Sequence, residues 1–454
     1  MTGLSPIIVP AGTPDPDPPR DRIADRVHMA RAIRLAAQGL YTTEPNPRVG
    51  CVIVKDGVVV GEGWHRRAGG PHAEPIALAA AGDAARGATA YVSLEPCCHH
   101  GRTPPCTDAL LAAGVARVVV AMTDPNPLVA GSGLDRLRAG GVAVDQGLLE
   151  AEARRLNPGF IKRMERGLPY VRVKLAASLD GRTAMASGES QWITAAAARR
   201  DVQYLRARSS AILTGVGTLL ADDPSLNVRL SPIDLPGLGP DDAVRQPLRV
   251  VVDSRLRTPP TARLLGLPGQ TLIACLDPEA DGLSSDNPET HLTAGPHLTP
   301  FPTASRDREP DQPISRELDR NGGPHARLEA MRERALRLEA AGAGILPVPP
   351  GPRGLDLETL LRYLARMEIN EVLIEAGATL AGSALQAGLV DELVLYLAPH
   401  LMGDGGLGLF HLPGLERMGD RLALHVQDLR KIGPDLRITA VWGPCVLPPS
   451  GSPG

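Results

Sequence analysis

Aromatic residues are scarce in this sequence. Phe, Trp and Tyr make up 3% of its 454 residues, whereas all hydrophobic residues together reach 43%. The hydrophobic cores must therefore be built mainly from Val, Leu, Ile and Ala. A chain of this length is too long for one ordinary core, so we expect two domains or more.

The sequence has no excess of basic charge and no long apolar run. Its 48 Lys and Arg residues face 51 Asp and Glu residues, a formal net charge of -3. Non-specific binding to nucleic acid needs a basic surface. We find no apolar run of transmembrane length, and the Pro- and Asp-rich N-terminus lacks the apolar segment of a signal peptide. We therefore expect a soluble, cytoplasmic protein that binds neither nucleic acid nor membranes.

Cysteine is also rare, with six residues, of which three lie between positions 97 and 106. This usage favours a metal site in a reducing compartment over a disulfide framework. Zinc prefers imidazole nitrogen and thiolate sulfur, and a catalytic zinc keeps one position open for water. His72, Cys97 and Cys106 would supply three ligands. Glu74 would carry protons rather than bind the metal.

These residues form an H-x-E…P-C arrangement, which is typical of zinc-dependent nucleobase deaminases. The usual second half is P-C-x-x-C, whereas here the second Cys comes late, at Cys106. A helix predicted over 72–81 puts Glu74 in its first turn. A metal acidifies the water that it binds, and a neighbouring carboxylate can pass that proton to a leaving amine. The pattern thus favours hydrolytic deamination.

A structural zinc site with four closed ligands is the alternative, with the fourth ligand from Cys98, His99 or His100. Such a site does not call for a glutamate two residues after the His ligand. Cys98 competes with Cys97 as a ligand, and we choose Cys97 because it directly follows Pro96 at the end of a predicted strand. His99 and His100 are either substrate ligands or exposed loop residues.

Strand and helix patterns alternate along the first part of the chain, which predicts a three-layer α/β domain over 23–150. A disordered tail, 1–22, precedes it. The predicted helices cover 23–40, 72–81, 107–113 and 134–140, and the predicted strands cover 51–54, 58–60, 90–94 and 117–122. Asp56-Gly57 between the first two strands indicates a hairpin turn. A linker helix is expected within 151–169, from a helical pattern over 150–160.

A second α/β series covers 170–445. Its predicted strands are 170–175, 211–214, 248–253, 271–275, 371–375, 393–398, 422–427 and 436–441, and its predicted helices are 195–207, 326–341, 356–366 and 379–387. The segment 277–324 is dense in Pro, Ser, Thr, Asp and Gly. A long segment without apolar periodicity inside a compact domain predicts a disordered insertion.

The residues 95–106, with 43–54 upstream, resemble the deaminase half of the bifunctional riboflavin-biosynthesis deaminase/reductase family. The resemblance implies a cytidine-deaminase-like fold in which the second zinc Cys is set back, as it is here. That family commonly has Ser where this chain has Cys98, which supports Cys97 and Cys106 as the ligands. Asn46, between two prolines, is a candidate for hydrogen bonding a heterocycle or ribose, or else a turn residue.

Three segments of the second half, 174–182, 188–194 and 219–229, resemble the reductase of the same family, whose fold is similar to dihydrofolate reductase. Glu375–Ser383 has the pattern of a strand end, a glycine turn and a helix start. Backbone N–H groups at such a helix N-terminus can bind a phosphate. No G-x-G-x-x-G follows a first strand, so a Rossmann domain is not indicated.

The resemblance implies residues for each ligand of the reductase. NADPH would contact Ala176, Trp192, Thr218, Asp222, Ser254, Gly377, Ala378, Thr379, Leu380, Ala381, Gly382 and Ser383. Substrate would contact Ser190, Arg206, Leu226, Arg229 and Glu375. The planar guanidinium fork suits phosphate oxygens, which makes Arg206 and Arg229 reasonable phosphate ligands. Lys174 either hydrogen bonds the sugar or pairs with Asp180 or Glu375.

The resemblance implies a two-step enzyme. With Zn²⁺, the first domain would remove an amino group from a diaminopyrimidine ribosylamine phosphate. With NADPH, the second would reduce the ribosyl chain to a ribityl chain. We expect this phosphorylated pyrimidine as the ligand and a homo-oligomer as the assembly. A nucleic-acid base deaminase with a fused accessory domain and a non-catalytic zinc-binding scaffold are the alternative functions.

Overall fold

The computed structural model describes residues 20–99, 104–127, 129–277 and 324–442. Residues 1–19 of the expected tail, His100, and residues 278–323 of the expected insertion lie outside these ranges. Contacts between Cα atoms divide the chain into two compact units. The first consists of Met1–Gly39 with Arg48–Leu156, and the second of Leu40–Pro47 with Asn157–Gly454.

The first unit is an α/β domain. Its helices are α1 (Arg20–Ala37), α2 (Ala73–Ala81), α3 (Cys106–Ala113), α4 (Ser132–Ala139) and α5 (Glu150–Leu156). Its strands are β1 (Gly50–Lys55), β2 (Val58–Trp64), β3 (Thr89–Val92), β4 (Arg117–Val120) and β5 (Ala143–Gln146). The strands form one sheet in the order β2-β1-β3-β4-β5, in which β3, β4 and β5 run parallel.

The predicted hairpin between β1 and β2 is confirmed. The two strands pair antiparallel up to Lys55 and Val58. Asp56 and Gly57 make the turn with φ values of 49° and 78°. Positive φ at both central residues is the conformation that Asp-Gly favours in two-residue hairpins. Local sequence therefore determines this turn.

Helices cover both faces of the first sheet. Ala77 of α2, Leu110 of α3 and Leu137 of α4 share a core cluster with Ile53 of β1. On the other face, His28 of α1 stacks against Tyr91 of β3, with ring centroids 5.2 Å apart. Neighbouring strand residues point to opposite faces, so this arrangement is the expected three-layer domain.

Glycines let helix α2 lie close to strand β2. A Cβ atom at Gly63 would come within 2.4 Å of the Ala73 carbonyl oxygen, and one at Gly61 within 2.2 Å of the Ala77 carbonyl oxygen. Larger residues at these two positions would push α2 away from the sheet. The close contact matters because α2 begins directly after His72.

The second unit has a larger, mostly parallel sheet. Its helices are α6 (Pro158–Arg166), α7 (Ala196–Arg208), α8 (Val216–Asp222), α9 (Pro324–Ala340), α10 (Leu357–Arg366) and α11 (Ala378–Gln386). Its strands are β6 (Tyr170–Ser178), β7 (Arg182–Ala184), β8 (Ala211–Gly215), β9 (Leu248–Val252), β10 (Thr271–Leu276), β11 (Ala343–Val348), β12 (Pro350–Gly351), β13 (Gly354–Leu355), β14 (Glu371–Ile374), β15 (Glu392–Ala398), β16 (Leu407–Gly408), β17 (Leu424–Ile432) and β18 (Asp435–Trp442).

Nine of these strands form one sheet in the order β11-β10-β9-β8-β14-β6-β15-β18-β17. From β11 to β15 all neighbours are parallel, and only β18 and β17 are added antiparallel. Ile212 on one face packs with α7, α8 and α9, while Leu213 on the other packs with α10 and α11. A parallel sheet buried on both faces needs such apolar strands.

The sequence prediction was wrong at the junction of the two units. A single helix was expected over 150–160, but the structure has α5 and α6 on either side of Asn157. Pro158 occupies the first turn of α6, where a missing N–H costs nothing. The same residue cannot continue α5, because its ring clashes with the preceding turn. Contacts place α5 in the first unit and α6 in the second.

Several elements were not predicted at all. Strands β5, β7, β11, β12, β13 and β16 and helix α8 were missing from the sequence interpretation. Helix α8 begins directly after β8, with Gly215 as its N-cap. Among the described helices, none is both long and apolar enough to cross a membrane.

Candidate functional site

Three predicted metal ligands lie together in the first unit. Possible ligand atoms of His72, Cys97 and Cys106 all lie within 4.8 Å of one another. The His72 Nδ1 atom is 3.2 Å from the Cys106 Sγ atom and 3.6 Å from the Cys97 Sγ atom. One imidazole and two thiols at these separations have the chemistry and spacing of a three-residue zinc site.

The secondary structure explains how the ligands meet. His72 is the N-cap residue of α2, and Cys106 is the first residue of α3. Cys97 lies in the loop that follows β3 and is held there by Thr107, whose backbone N and Oγ1 donate to its carbonyl oxygen at 3.2 and 3.3 Å. The backbone N–H of Cys106 points to the Cys97 sulfur at 3.4 Å. Helix N-termini carry partial positive charge and so favour thiolates at this place.

The pKa values of the Cys97 and Cys106 thiols are shifted in opposite directions. The pKa of Cys97 lies well below its usual range, because Cys106 and His72 donate hydrogen bonds to its sulfur. The pKa of Cys106 is raised, first because Cys97 is the acceptor and then because Cys106 is buried. Metal binding needs deprotonated sulfur, and the lowered pKa of Cys97 favours that form for one of the two thiols.

Glu74 is buried beside these ligands. It is 2% exposed, and its Oε2 atom has no hydrogen-bond partner in the described part of the chain. Burial raises the pKa of Glu74 to about 7, while the nearby His72 acts in the opposite direction. A carboxyl group that titrates near neutrality can both accept and release a proton. The arrangement fits a proton carrier that faces a metal-held water.

His65 supports His72 and was missed by sequence reasoning. It is 2% exposed, and its Nδ1 atom is 2.9 Å from the Pro71 carbonyl oxygen. Its ring meets the His72 ring edge-on, with centroids 5.4 Å apart. His65 is a single His after a predicted strand and is part of no metal-ligand spacing pattern. Only the fold therefore reveals its contact with His72.

Asp124 is a second residue that the sequence did not single out. It follows β4 and is 9% exposed. Burial raises its pKa to about 6, and the charges of Glu95 and Cys97 act in the same direction. His99 acts in the opposite direction. The loop after β4 therefore lies next to the loop that carries the zinc ligand.

Three further candidates from the sequence have different surroundings. Cys98 is half-buried and does not belong to the three-residue cluster found among the described residues. His99 is exposed. Asn46 lies in a turn, where its backbone N–H donates to the Thr43 carbonyl oxygen at 2.8 Å. Its segment, Leu40–Pro47, groups with the second unit.

The second unit gathers many of the other candidates at one edge of its sheet. Strands β9, β8, β14 and β6 are parallel neighbours, so their carboxyl ends lie side by side. Ser254 follows β9, Glu375 follows β14, and Thr218 lies in α8, which follows β8. In open α/β sheets, ligands bind outside this edge.

One hydrogen bond connects the two helix starts at this edge. The backbone N–H of Gly377, the N-cap of α11, donates to the Thr218 Oγ1 atom at 3.2 Å. Within 377–383, residues Ala381 and Gly382 are buried, Gly377 and Thr379 are exposed, and Ala378, Leu380 and Ser383 are half-buried. The exposed N-terminal end of α11 is therefore accessible to a phosphate group.

Arg206 is fixed by Glu375 across this site. The Arg206 Nε and Nη2 atoms donate to the two carboxylate oxygens of Glu375 at 2.6 and 3.0 Å. The Nη1 atom donates to the Asn227 carbonyl oxygen at 3.1 Å. Burial alone would raise the pKa of Glu375, but Arg206 and Lys174 outweigh it and hold that pKa below its usual value.

Lys174 lies half-buried on β6, with its Nζ atom 6.0 Å from the centre of the Tyr396 ring. Burial lowers its pKa, and Arg206 adds to this effect while Glu375 opposes it. The expected alternative of an ion pair with Asp180 does not form. The Asp180 carboxylate instead accepts hydrogen bonds from the Ser178 hydroxyl and from the backbone N–H groups of the turn at 402–403.

The remaining candidates differ in exposure. Trp192 is 69% exposed and stacks under the Arg199 guanidinium, whose carbon lies 4.6 Å from the ring centre. Leu226 is buried in the core of the unit. Ala176, Ser190 and Ser254 are half-buried, and Asp222 and Arg229 are exposed. Gln191 reaches the Asp222 carboxylate only at 3.5 Å, a weak contact.

Comparison with known proteins gives matches along most of the chain. The family model described as "Cytidine and deoxycytidylate deaminase zinc-binding region" matches residues 23–122. The model described as "RibD C-terminal domain" matches residues 169–283 and 325–438. The two matches correspond to the two units and account for the chemistry of each site separately.

Individual relatives are similar over almost their whole length. The riboflavin biosynthesis protein RibD of Escherichia coli is 49% identical over 414 residues, which cover 91% of this chain and 98% of the relative. That of Haemophilus influenzae is 44% identical over 417 residues, with 91% and 96% covered.

Solved structures show the same two-part architecture. Acinetobacter baumannii RibD has 42% identity and a TM-score of 0.74, and the match covers 93% of this chain and 100% of that one. A diaminohydroxyphosphoribosylaminopyrimidine deaminase/5-amino-6-(5-phosphoribosylamino)uracil reductase from Thermotoga maritima has 28% identity and a TM-score of 0.70, with the same coverage. The chain therefore belongs to the RibD family of bifunctional riboflavin-biosynthesis enzymes, in which a deaminase is fused to a reductase.

Proposed function

We propose that the first unit holds a catalytic zinc ion through His72, Cys97 and Cys106 and deaminates a phosphorylated diaminopyrimidine. The observation that carries this proposal is the buried Glu74, whose Oε2 atom lacks a partner beside the three-residue cluster. A closed structural site would have no use for a buried carboxylate oxygen without a partner, because such burial is costly. Zinc, when bound, would supply acidification of a water molecule to near neutral pH.

The residues of the chain would then move the protons. Glu74 accepts a proton at its unpartnered Oε2 atom and delivers it to the amino group that leaves as ammonia. Its pKa of about 7 matches this double task. His65 keeps the His72 ring in place through the edge-on contact. Asn46 stays a candidate contact of the substrate, on the sequence argument alone.

We infer that the second unit binds NADPH at the carboxyl edge of its sheet. NADPH, when bound, would supply the hydride that reduces the ribosyl chain. Gly377 to Ser383 would bind a phosphate through the N–H groups of the first turn of α11, and Thr218 fixes that turn by accepting the Gly377 N–H. Ala176, Trp192, Asp222 and Ser254 are the further cofactor residues that we propose.

The substrate of the reductase would lie against Arg206 and Glu375. Their ion pair keeps the Arg206 guanidinium in a fixed orientation. Arg206 is only 9% exposed. Ser190, Leu226, Arg229 and Lys174 complete the set of proposed contacts. Of the two arginines, the exposed Arg229 is the more accessible to a solvated phosphate, and Arg206 is the more rigid.

The decisive experiment separates the two activities. The purified chain is incubated with the diaminopyrimidine ribosylamine phosphate, with and without NADPH, while ammonia and NADPH oxidation are followed separately. Ammonia release without NADPH, followed by oxidation only when NADPH is added, supports the proposal. NADPH oxidation without prior ammonia release would contradict the order of the two steps, and tight tRNA binding at physiological salt would favour a nucleic-acid base deaminase instead.

We further propose a cytoplasmic homo-oligomer. Cys51, Cys97, Cys98, Cys106 and Cys275 are all free, so no disulfide joins cysteines in the described ranges, as expected in a reducing compartment. Val426 and Leu429 of β17 are 59% and 61% exposed, and exposed apolar residues on a sheet edge favour self-association. Sedimentation equilibrium of the purified chain measures the assembly directly.

A further inference from the structure

Glu95 is a buried carboxylate that neither proposed activity uses. It is 3% exposed and lies two residues before the zinc ligand Cys97. Its Oε2 atom accepts the backbone N–H groups of Asp124 and Gly131, both at 3.0 Å. No ion pair between Glu95 and a basic side chain forms in the described ranges. A buried charge of this kind must be stabilised by other means.

Helix α4 provides that stabilisation. The Glu95 Oε1 atom accepts the N–H groups of Gly133 at 2.9 Å and Leu134 at 3.4 Å, in the first turn of α4. The N-cap residue of α4 is Gly131, whose φ is 81° and which has no side chain to cap the helix. Glu95 therefore serves as the missing cap from a distant part of the chain, and the positive end of α4 stabilises its charge.

The close packing of Gly133 supports this arrangement. A Cβ atom at Gly133 would come within 2.2 Å of the Pro96 carbonyl oxygen and within 3.1 Å of the Glu95 Oε1 atom. Glycine is thus required for the helix start to approach the segment before Cys97. The Glu95 backbone N–H also donates to the Met122 carbonyl oxygen at 3.0 Å, which fixes the end of β4.

The described residues 124–127 and 129–131, between β4 and α4, are here called the β4–α4 loop, and Glu95 accepts a hydrogen bond from the residue at each end of it. Its Asp124 side chain is buried close enough to Cys97 and His99 to interact with their charges. The loop follows β4, whose carboxyl end lies beside that of β3, the strand that precedes Cys97, so the loop forms a wall next to the three-residue cluster. The Cys97 carbonyl oxygen is held by Thr107, not by Glu95.

We propose that Glu95 is a positioning residue of the deaminase. It holds the described part of the β4–α4 loop as a wall of the pyrimidine-binding site, through two backbone hydrogen bonds from the ends of that loop and two from the first turn of α4. This inference rests on the proposed deaminase function. Glu95 touches neither zinc nor substrate. Its loss would loosen the wall and weaken substrate binding, while the zinc ligands and Glu74 stay in place.

The test uses the full-length, zinc-loaded chain with Glu95→Gln and Glu95→Ala. Gln keeps only one acceptor oxygen, so it can serve one pair of N–H groups but not both. Hydrogen–deuterium exchange at Asp124, Gly131, Gly133 and Leu134 should become faster in the order wild type, Gln, Ala. The deaminase KM should rise about tenfold in Glu95→Gln, the equivalent of one broken charge-assisted hydrogen-bond pair, with kcat nearly unchanged.

Two controls separate positioning from general damage. Glu152→Gln removes an exposed carboxylate from α5 of the same unit and should change neither exchange nor KM. The reductase activity, measured with deaminated substrate and NADPH, should stay at the wild-type value in every variant.

Gly133→Ala, which forces α4 away from Pro96, should reproduce the KM increase of Glu95→Gln.

Several results would overturn the inference. Unchanged exchange at the four amides in Glu95→Gln would show that the carboxylate does not hold the loop. An unchanged KM with faster exchange would show that the loop is no wall of the binding site, and loss of zinc with a fall in kcat would assign Glu95 to the metal site instead. If Glu95→Ala does not fold, Glu95→Gln decides. A wild-type chain that releases no ammonia would contradict the proposed deaminase, whereas the exchange measurement is made without substrate.

Discussion

Arg206 and Glu375 form a two-point ion pair at the carboxyl edge of the second sheet, with Nε–Oε1 and Nη2–Oε2 distances of 2.6 and 3.0 Å. Both side chains were expected to contact substrate separately. The structure shows that each also determines the position of the other. Replacing either residue with an uncharged one therefore leaves the other as a nearly buried charge without its partner. For this reason both the stability and the KM of such a variant must be measured.

Arg206→Ala should raise the KM of the reductase for its substrate while NADPH still binds. It should also destabilise the second unit by about 3–5 kcal/mol, because Glu375 would remain as an uncompensated buried charge. Arg206→Ala combined with Glu375→Gln removes that charge and should recover part of the stability but not the KM. The measurements are substrate titrations, NADPH fluorescence titrations and urea unfolding. An unchanged KM in a folded Arg206→Ala variant would rule out a substrate role.

Glu74→Gln should stop ammonia release and leave the zinc content at the wild-type value. The amide cannot accept and return a proton, so the deaminase rate should fall by at least about 100-fold. The reductase in the same chain, assayed with deaminated substrate, is the internal control. Full deaminase activity in a zinc-loaded Glu74→Gln chain would refute the proton-carrier role and would suit the scaffold alternative.

The two candidate thiols at positions 97 and 98 can be told apart by metal analysis. Cys98→Ser should keep one zinc per chain, because Cys98 lies outside the three-residue cluster. Cys97→Ser and Cys106→Ser should each lose most of the metal, since two protein ligands hold zinc far more weakly than three. Zinc loss in Cys98→Ser, together with retention in Cys97→Ser, would reverse the assignment.

The first unit should lose stability in acid through Asp25. Burial would raise the pKa of Asp25, but hydrogen bonds from Arg117 and Tyr91 outweigh burial and lower the pKa below the ordinary value of 3.8. The unfolded chain therefore binds this proton more readily than the folded chain. The stabilisation is present above about pH 4, and it is lost as the pH falls through the lowered pKa.

Thermal unfolding of wild type and Asp25→Asn between neutral and acid pH measures this effect. The variant should be less stable at neutral pH, and the difference between the two proteins should shrink in acid. Asp135→Asn, at an exposed i,i+3 pair on α4, is the matched control and should show little difference at any pH. A constant difference between wild type and Asp25→Asn across the pH range would contradict the assignment.

Replacement of residues 278–323 by a short Gly/Ser linker should leave both activities in place. The composition of this segment offers no apolar periodicity with which to build a core. The segment lies between β10 and α9, and β10 pairs directly with β11, the strand after α9, as a parallel neighbour from Thr271 to Leu276. Loss of soluble, folded protein on replacement would show that the segment is structural.

Much of the fold follows from local sequence. The Asp56-Gly57 hairpin, the apolar strand over 211–214 and the helix over 356–366 were all predicted, because turn chemistry and apolar patterns are properties of neighbouring residues. In the structure Asp356 is the N-cap of that helix rather than its first residue. The short strands β7 and β16 could not be predicted, since each is stabilised only by pairing with the other. The break at Asn157 was overlooked although Pro158 signals it.

The sequence by itself determined the chemistry of the first site. The spacing of His72, Glu74, Cys97 and Cys106 predicts three metal ligands and a carboxylate, and the fold brings the candidate ligand atoms of the His and the two Cys within 4.8 Å of one another. Tertiary structure alone decided what supports that chemistry: the His65 contact, the buried Asp124 and the four N–H groups around Glu95. These depend on parallel strands that bring separate loops to one edge, and on burial that shifts proton affinities, neither of which can be deduced from the order of residues along the chain.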